Sequence, residues 1–366
     1  MTTDVLILGG GPAGLACAYE VASRGHKATI VDEARALGGQ LRSQTQILDL
    51  MPTALAGLRG FELAEKLVGR LRTLPLEYLL ECEAIGRFVD GSIGVSNGRN
   101  IEKLTPKSIV VATGAAESPV VFPGWTLPGV MTIGAAQILI NRERVYPGKR
   151  TVVIGSSDMA LAIAKQLHDV GIEVLGVVAA ASQIAARDQK TIKAFRETAI
   201  PLLLQTDIVS AGGRKRVEEV FLRSAHDGSM EQKFQVDFVC LDGGRHPVLE
   251  AFAMLNCQFA YRKVLGGWLP CYTSNFESSV SGIFAAGQAA GIAGHAGICI
   301  TGALAGIGAV DYLEKGTTPE RQSDKQRYWS ELEQLEAAQL ADVWQARQAH
   351  IGASVEIRKN SGGGNG

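Results

Sequence analysis

About 40 residues at the start of this chain constrain its fold more than any other stretch. VLILGGGPAGLACAYE (5–20) sets a short apolar run against a glycine-rich turn and then a helix-forming segment. Asp4–Leu8 reads as a strand, the helix runs to about Ser23, and Gly9-x-Gly11-x-x-Gly14 lies between them. In such a turn the first glycine permits the tight bend. The second lets a pyrophosphate graze the backbone, and the third lets helix pack on strand. The helix N-terminus then offers unpaired N–H groups and partial positive charge to the phosphates. A second strand, Lys27–Val31, ends in Asp32, 23 residues after Gly9, where a carboxylate can accept hydrogen bonds from an adenosine ribose. Strand, turn, helix and acid together specify a dinucleotide-binding unit.

Composition narrows the class around that unit. At 366 residues the chain is long enough for two domains with sizeable cores. A formal net charge of −1 gives no global field for nucleic acid or an anionic membrane. Forty-three glycines cluster in turns such as GGGPAG and GQAAGIAGHAG, a pattern that suggests repeated close approach of backbone to a ligand. No apolar run reaches the length of a membrane span. MTTDVLILGGG lacks the basic region of a signal peptide. The six cysteines (17, 82, 240, 257, 271, 299) form no CxxC and no metal-ligand spacing, so they read as reduced, half-buried core residues in a cytoplasmic protein.

A second strand–turn–helix, VVIGSSDMALAIAKQL (152–167), repeats the first pattern with changes. Gly155 and a small Ala160 hold the outer positions, while Ser157 stands where the close-approach glycine belongs and adds a Cβ and a hydroxyl. Asp158 suits a helix start but repels phosphate. The following strand runs into Ala179-Ala180-Ala181, with no acid for an NAD ribose and no arginine for an NADP phosphate; Arg187 is the nearest cation. NAD(P)H, another nucleotide such as ATP, and an empty structural domain all remain open for this turn.

Further stretches carry a family resemblance. Gly38-Gly39-Gln40, VVATGA (110–115) and GIFAAGQ (282–288) each bring a glycine to a place where backbone can meet a cofactor. Together with the first fingerprint they resemble the FAD domain of flavoproteins that carry two dinucleotide-binding domains. The resemblance implies FAD in the first site, held by Gly9, Gly11, Pro12, Ala13, Gly14 and Asp32. It carries further contacts to Gly39, Gln40, Ala84, Thr113 and Gly114, and to Gly287, Gln288 and Ala296. In that family an aspartate reaches the ribityl chain from the position of Gln288, whose amide still bonds hydroxyls but carries no charge. The implied fold class is α/β: an FAD-binding Rossmann-like domain (1–118 and 248–315), an inserted second NAD(P)-binding-like Rossmann domain (119–247), and a helical and flexible tail (316–366).

GGQLRSQTQ with GLRGFELAEKL (57–67) looks like the low-molecular-weight thioredoxin reductases, but the insert contains only Cys240, so no dithiol relay exists there. FPGWTLPGVMTIGAAQ (122–137) and GGRHPVLEAFAMLNCQFAY…GGWLP (243–270) are instead similar to the FAD-containing subunits of heteromeric amine and imino-acid dehydrogenases. That group includes opine oxidases, hydrogen cyanide synthase and dye-linked proline or hydroxyproline dehydrogenases. The resemblance implies an amine- or amino-acid-type substrate, or a redox partner subunit, in a hetero- or homo-oligomer. A nicotinamide-dependent flavin reductase and a non-catalytic FAD scaffold are the competing readings. No cysteine follows Cys299, so the chain supplies no thiolate cluster site after it.

Within the insert, a helix is expected to about Arg144, and strands at Thr151–Ile154, Val174–Val178, Leu202–Leu204 and Val236–Cys240. A late helix, beginning near Ala296, should point its N-terminus at the flavin pyrimidine edge, with His295 as a weak catalytic candidate there. His26, His168, His226, His246 and His350 read as surface residues. Residues 325–347 form one expected helix, with Tyr328, Trp329, Leu332, Leu335, Val343 and Trp344 at mainly helical spacing. The ending SGGGNG reads as flexible.

Overall fold

The computed structural model describes residues 1–224, 232–338 and 340–362, with backbone alone for 356–362. His226 and the last four residues of the SGGGNG ending lie outside the described residues. The chain divides into two compact units, Met1–Ala116 with Arg245–Gly366, and Glu117–Gly244.

In the first unit, β1 (Thr2–Leu8) is buried along Val5–Leu8, as a strand covered on both faces must be. Helix α1 (Pro12–Ala22) follows it, then β2 (Ala28–Asp32). A seven-stranded sheet runs in the order Leu76–Leu80, β2, β1, Ile101–Val111, Ile93–Ser96, Glu83–Arg87, with Ile283–Ala285 also beside Ile101–Val111. Register aligns Leu8 with Val31, Leu8 with Val111, and Val111 with Ala285, all in parallel pairs. The residues at or just beyond the ends of these strands (Gly9, Asp32, Thr113 and Gly287) therefore gather at the carboxyl ends of the sheet, where open α/β sheets bind ligands. The strands Glu83–Arg87 and Ile93–Ser96 form an antiparallel meander onto Ile101–Val111 that the apolar pattern did not disclose.

The core helix His295–Leu313 is long and apolar enough to cross a membrane by length and composition, but 78% of that window is buried inside the protein. It packs closely on α1. A Cβ on Gly302 would stand 2.2 Å from the Ala13 carbonyl oxygen, and one on Gly306 2.8 Å from that of Cys17. Part of the glycine excess thus serves backbone against backbone rather than backbone against ligand.

The tail differs from expectation. Instead of one helix over 325–347 it forms two, Pro319–Ala337 and Ala341–Gly362. On one straight helix Trp329 and Trp344 would stand about 22 Å apart; their ring centroids lie 6.1 Å apart. The fold-back is stabilised by burial that no local breaker announces: Leu332, Val343 and Ile351 join the core, and Arg347 pairs with Glu336. His350, expected on the surface, is fully buried on this second helix and bonds the Pro270 carbonyl through Nε2. His168 and His246 are exposed, and His26 is half-buried beside Glu314.

The second unit holds a five-stranded parallel sheet in the order Val130–Thr132, Phe238–Leu241, Arg150–Ile154, Glu173–Ala179, Leu202–Leu204. Its strand expected at Val236 begins at Phe238. The helix expected to about Arg144 is α-helical over Ile133–Gln137 and wider over Ile138–Arg142. A separate antiparallel sheet, Thr206–Gly212, Glu219–Ser224, Gln232–Gln235, was not anticipated.

Candidate functional site

The first turn is a tight, glycine-built bend. Gly9 turns with φ +109°, and a Cβ on Gly14 would stand 1.9 Å from the Gly9 carbonyl oxygen, so helix and turn touch backbone to backbone. Gly11 caps α1, and Pro12 and Ala13 begin it, with no side chain capping the end and no acid in its first turn. The helix N–H groups and the dipole are thereby left for an external anion. Across from Gly11, Gly39 takes φ +55°, and a Cβ there would come within 2.9 Å of the Gly11 Cα. The two glycines thus pack backbone against backbone, and a side chain at position 39 would push the Gly11 turn away. Asp32 holds the turn through Oδ2, which accepts the Gly10 N–H at 2.5 Å, and Oδ1 accepts the Ala34 N–H at 2.7 Å. The Cys82 N–H donates to the Asp32 carbonyl at 3.0 Å, bringing the strand that contains Ala84 beside this corner.

Other expected contacts collect around the same edge. The Gln40 amide donates to the Ala115 carbonyl at 3.4 Å, and the Thr113 hydroxyl to the Val248 carbonyl at 3.2 Å. The Gly114 carbonyl accepts the Val248 N–H at 3.1 Å. A Cβ on Gly287 would press to 2.6 Å from that of Ala13, and the Gly287 N–H donates to Thr301 Oγ1 at 3.0 Å. Gln288 is buried, its amide reaching the Ala293 carbonyl at 3.5 Å. These residues fit FAD.

Past Gln288 the core helix starts at His295, one residue before the expected start, with Gly294 as its cap and no acid in the first turn. His295 Nε2 lies 2.8 Å from Gln44 Oε1. Burial, and then the Arg245 charge, push the histidine down to about 4, so it is neutral at pH 7. A neutral ring donates from Nε2 to the Gln44 oxygen and leaves Nδ1 as an acceptor. Gln44 is itself fixed, since a Cβ on Gly60 would lie 2.4 Å from its Cβ. Ala296 follows, buried. Gln44 and Arg245 escaped the sequence reading; only the fold brings residues 251 positions apart together.

The second turn is built differently. Gly155 bends with φ +110° against Asp242, whose Cβ would be 2.6 Å from a Cβ on Gly155. Ser157 caps its helix, its hydroxyl accepting the Ala160 N–H at 3.3 Å. The Ser157 N–H donates to Asp242 Oδ2, also at 3.3 Å. Asp158 Oδ1 accepts the N–H groups of Arg187 and Asp188, both at 2.8 Å. Asp242 carried no sequence signal beyond standing at the end of a strand.

All six cysteines are free: Cys82 is half-buried and the other five are buried. Among the described residues no group of three or more His, Cys, Asp or Glu is placed to hold a metal ion.

Against known proteins, a family model described as pyridine nucleotide-disulphide oxidoreductase matches residues 3–305. One component of the opine oxidase of Rhizobium meliloti (strain 1021) is 28% identical over 333 residues, spanning 85% of this chain and 71% of that protein. The alpha component of the sarcosine oxidase of Corynebacterium sp. (strain P-1) is 27% identical over 318 residues, spanning 84% of this chain but 32% of that one. Among solved structures, T. acidophilum thioredoxin reductase is similar in fold, with TM-score 0.70 at 18% identity, covering 86% of this chain and 99% of that chain.

Proposed function

The chain belongs to the pyridine nucleotide-disulphide oxidoreductase family, and from that premise we propose a subunit of a heteromeric dehydrogenase acting on an amine, amino acid, imino acid or opine. That it is an FAD-dependent oxidoreductase follows from the family and its relatives. One observation carries the finer reading. Cys240 is the sole cysteine of 119–247, fully buried, its thiol pushed up to about 12 by burial. A disulphide reductase needs two reactive thiols, and this insert offers one inert one. With no dithiol relay in the insert, exchange of electrons with an organic substrate or a partner is favoured. The substrate class is extended from the similar proteins, named for opine and sarcosine oxidation.

Bound FAD supplies hydride and electron transfer; the protein supplies position and field. With FAD bound, Gly11, packed against Gly39, would let the pyrophosphate approach, the α1 N-terminus would stabilise its charge, and Asp32 would accept from the adenosine ribose. Gln288 would orient ribityl hydroxyls with a neutral amide. The uncapped start of the core helix, at His295 and Ala296, places partial positive charge where the pyrimidine edge would gather negative charge. Neutral His295, oriented by Gln44, holds or accepts a hydrogen bond at Nδ1.

The test is an anaerobic absorbance titration of the FAD-loaded protein with secondary amines, amino acids, imino acids and opines, first by itself and then with its partner subunit. Bleaching of the oxidised flavin by one of these classes is expected. Flavin that dithionite reduces and none of these classes reduces would sink the proposal.

A further inference from the structure

We propose that the dinucleotide turn of the second unit is closed from within, by Asp242 and the segment 185–188, so that it binds neither NADH nor NADPH. The chain contains its own control. Gly9 to Gly14 and Gly155 to Ala160 are the same strand–turn–helix device, position for position. At the first, the residue capping the helix is glycine, no side chain caps it and no acid enters its first turn. At the second, each of those openings is filled by a protein group.

Ser157 holds the close-approach position, and its N–H, which would face a phosphate, already donates to the Asp242 carboxylate at 3.3 Å. Asp242 is an internal anion seated against Gly155, its Oδ2 3.1 Å from where a Cβ on that glycine would stand. Asp158 is a second carboxylate in the first helical turn, where it meets the positive end of the dipole. A pyrophosphate brought to this turn would meet two fixed carboxylates in place of open N–H groups.

The adenosine side is occupied too. In the first unit β2 ends in Asp32. Here the strand Glu173–Ala179 ends in alanines, and the chain beyond them folds back over the turn. Ser156 Oγ accepts the Ala185 N–H at 3.0 Å, and the Ser156 carbonyl accepts that of Ala186 at 2.8 Å. Asp158 Oδ1 accepts those of Arg187 and Asp188. Four consecutive N–H groups are thus tied to Ser156 and Asp158. The serine and aspartate that replace a glycine and a proline of the first turn are the same groups that hold this segment down.

The experiment is isothermal titration of the FAD-loaded full chain with NADH and with NADPH. No saturable binding, or a Kd weaker than about 1 mM, is the expected result; one-to-one binding tighter than that overturns the proposal. The double variant Asp158→Asn/Asp242→Asn keeps shape and hydrogen-bond reach while removing both charges. It is expected to bind at least about ten-fold more tightly than wild type, and no gain would overturn the role given to the carboxylates. If the double variant does not fold, Asp242→Asn alone carries the same readout. Because binding rather than turnover is measured, failure here leaves the amine-substrate reading standing, and the reverse.

Discussion

Replacing Arg347 by methionine tests the reading of the tail as a folded-back hairpin fixed by a buried ion pair. Arg347 is 0% and Glu336 3% exposed at the side chain. The guanidinium donates to the carboxylate at 2.9 and 3.1 Å, and its remaining nitrogen lies 3.4 Å from the Tyr272 hydroxyl. That hydroxyl donates in turn to the Ala290 carbonyl at 2.7 Å, within the turn that follows Gln288. Glu336 also sits against the first turn of the core helix, 2.6 Å from where a Cβ on Gly297 would stand. Arg347→Met leaves this carboxylate dry and without its cation, which costs about 3–5 kcal/mol. Against a typical total of about 5–15 kcal/mol, that is enough to loosen the hairpin before the rest of the unit. Urea unfolding followed by tryptophan fluorescence reads it, since Trp329 and Trp344 pack on each other across the two helices. Adding Glu336→Leu removes the orphan charge and is expected to recover at least about 2 kcal/mol, because an apolar pair of similar volume replaces a buried ion pair at little cost. A single variant costing less than about 1 kcal/mol would mean that water reaches the pair. Strictly additive effects would mean that the two residues do not act on each other. Either result refutes the reasoning.

Gly39→Ala puts a methyl 2.9 Å from the Gly11 Cα at a backbone angle of φ +55°, and FAD affinity measured by flavin fluorescence is expected to fall at least about ten-fold. Gly302→Val drives a branched side chain into the Ala13 carbonyl, 2.2 Å from its Cβ; overpacking of about 1–3 kcal/mol or more should appear as a lowered Tm and lost flavin together. His350 is neutral in the folded protein, held down to about 4 chiefly by burial, against 6.5 as the ordinary value. The unfolded chain therefore binds the extra proton first, and stability present above pH 6.5 is lost as pH falls toward 4. At about 1.4 kcal/mol per pH unit this residue alone removes about 2 kcal/mol by pH 5, and His350→Gln should flatten the urea-midpoint profile between pH 7 and 5.

What could be read from the sequence was whatever local chemistry states outright. The strand–turn–helix at Asp4 to Ser23 was legible because three glycines, an apolar run and an acid all have to coincide in about 30 residues. The parallel strands of the second unit were legible as apolar runs between helical segments. The antiparallel pieces were not: Glu83–Arg87 carries glycine and charge, and Thr206–Gly212 alternates too weakly to separate from a loop. The break between the tail helices was not legible either, because nothing in EAAQLADV forbids a helix. The fold-back is stabilised by contacts remote in the sequence, the burial of Leu332, Val343 and Ile351 and the pair Glu336–Arg347, whose value depends on being buried together. His350 was misplaced for the same reason: a histidine reads as surface until its partner, the Pro270 carbonyl 80 residues away, is known.

The two glycine turns show where that limit falls within a functional site. Ser157 and Asp158 were visible as substitutions, and each could be weighed only as a local penalty on phosphate binding. What turns penalties into closure is remote: Asp242 lies 85 residues on and reaches the Ser157 N–H, and Ala185 to Asp188 lie about 30 residues on and reach Ser156 and Asp158. A turn that merely stopped binding its ligand would leave N–H groups without that partner, at about 1–3 kcal/mol for each buried group left unpaired. Here the groups lost to a ligand are met by protein groups, so the turn is stable without one. The first turn shows the opposite arrangement. Its helix end carries no side-chain cap, so an anion arriving from outside would add stability there. Removing FAD should therefore destabilise the first unit, measured as a lower Tm for its transition in the apoprotein, and leave the second unit's transition unmoved. Equal shifts in both transitions would contradict the assignment of one open and one closed turn.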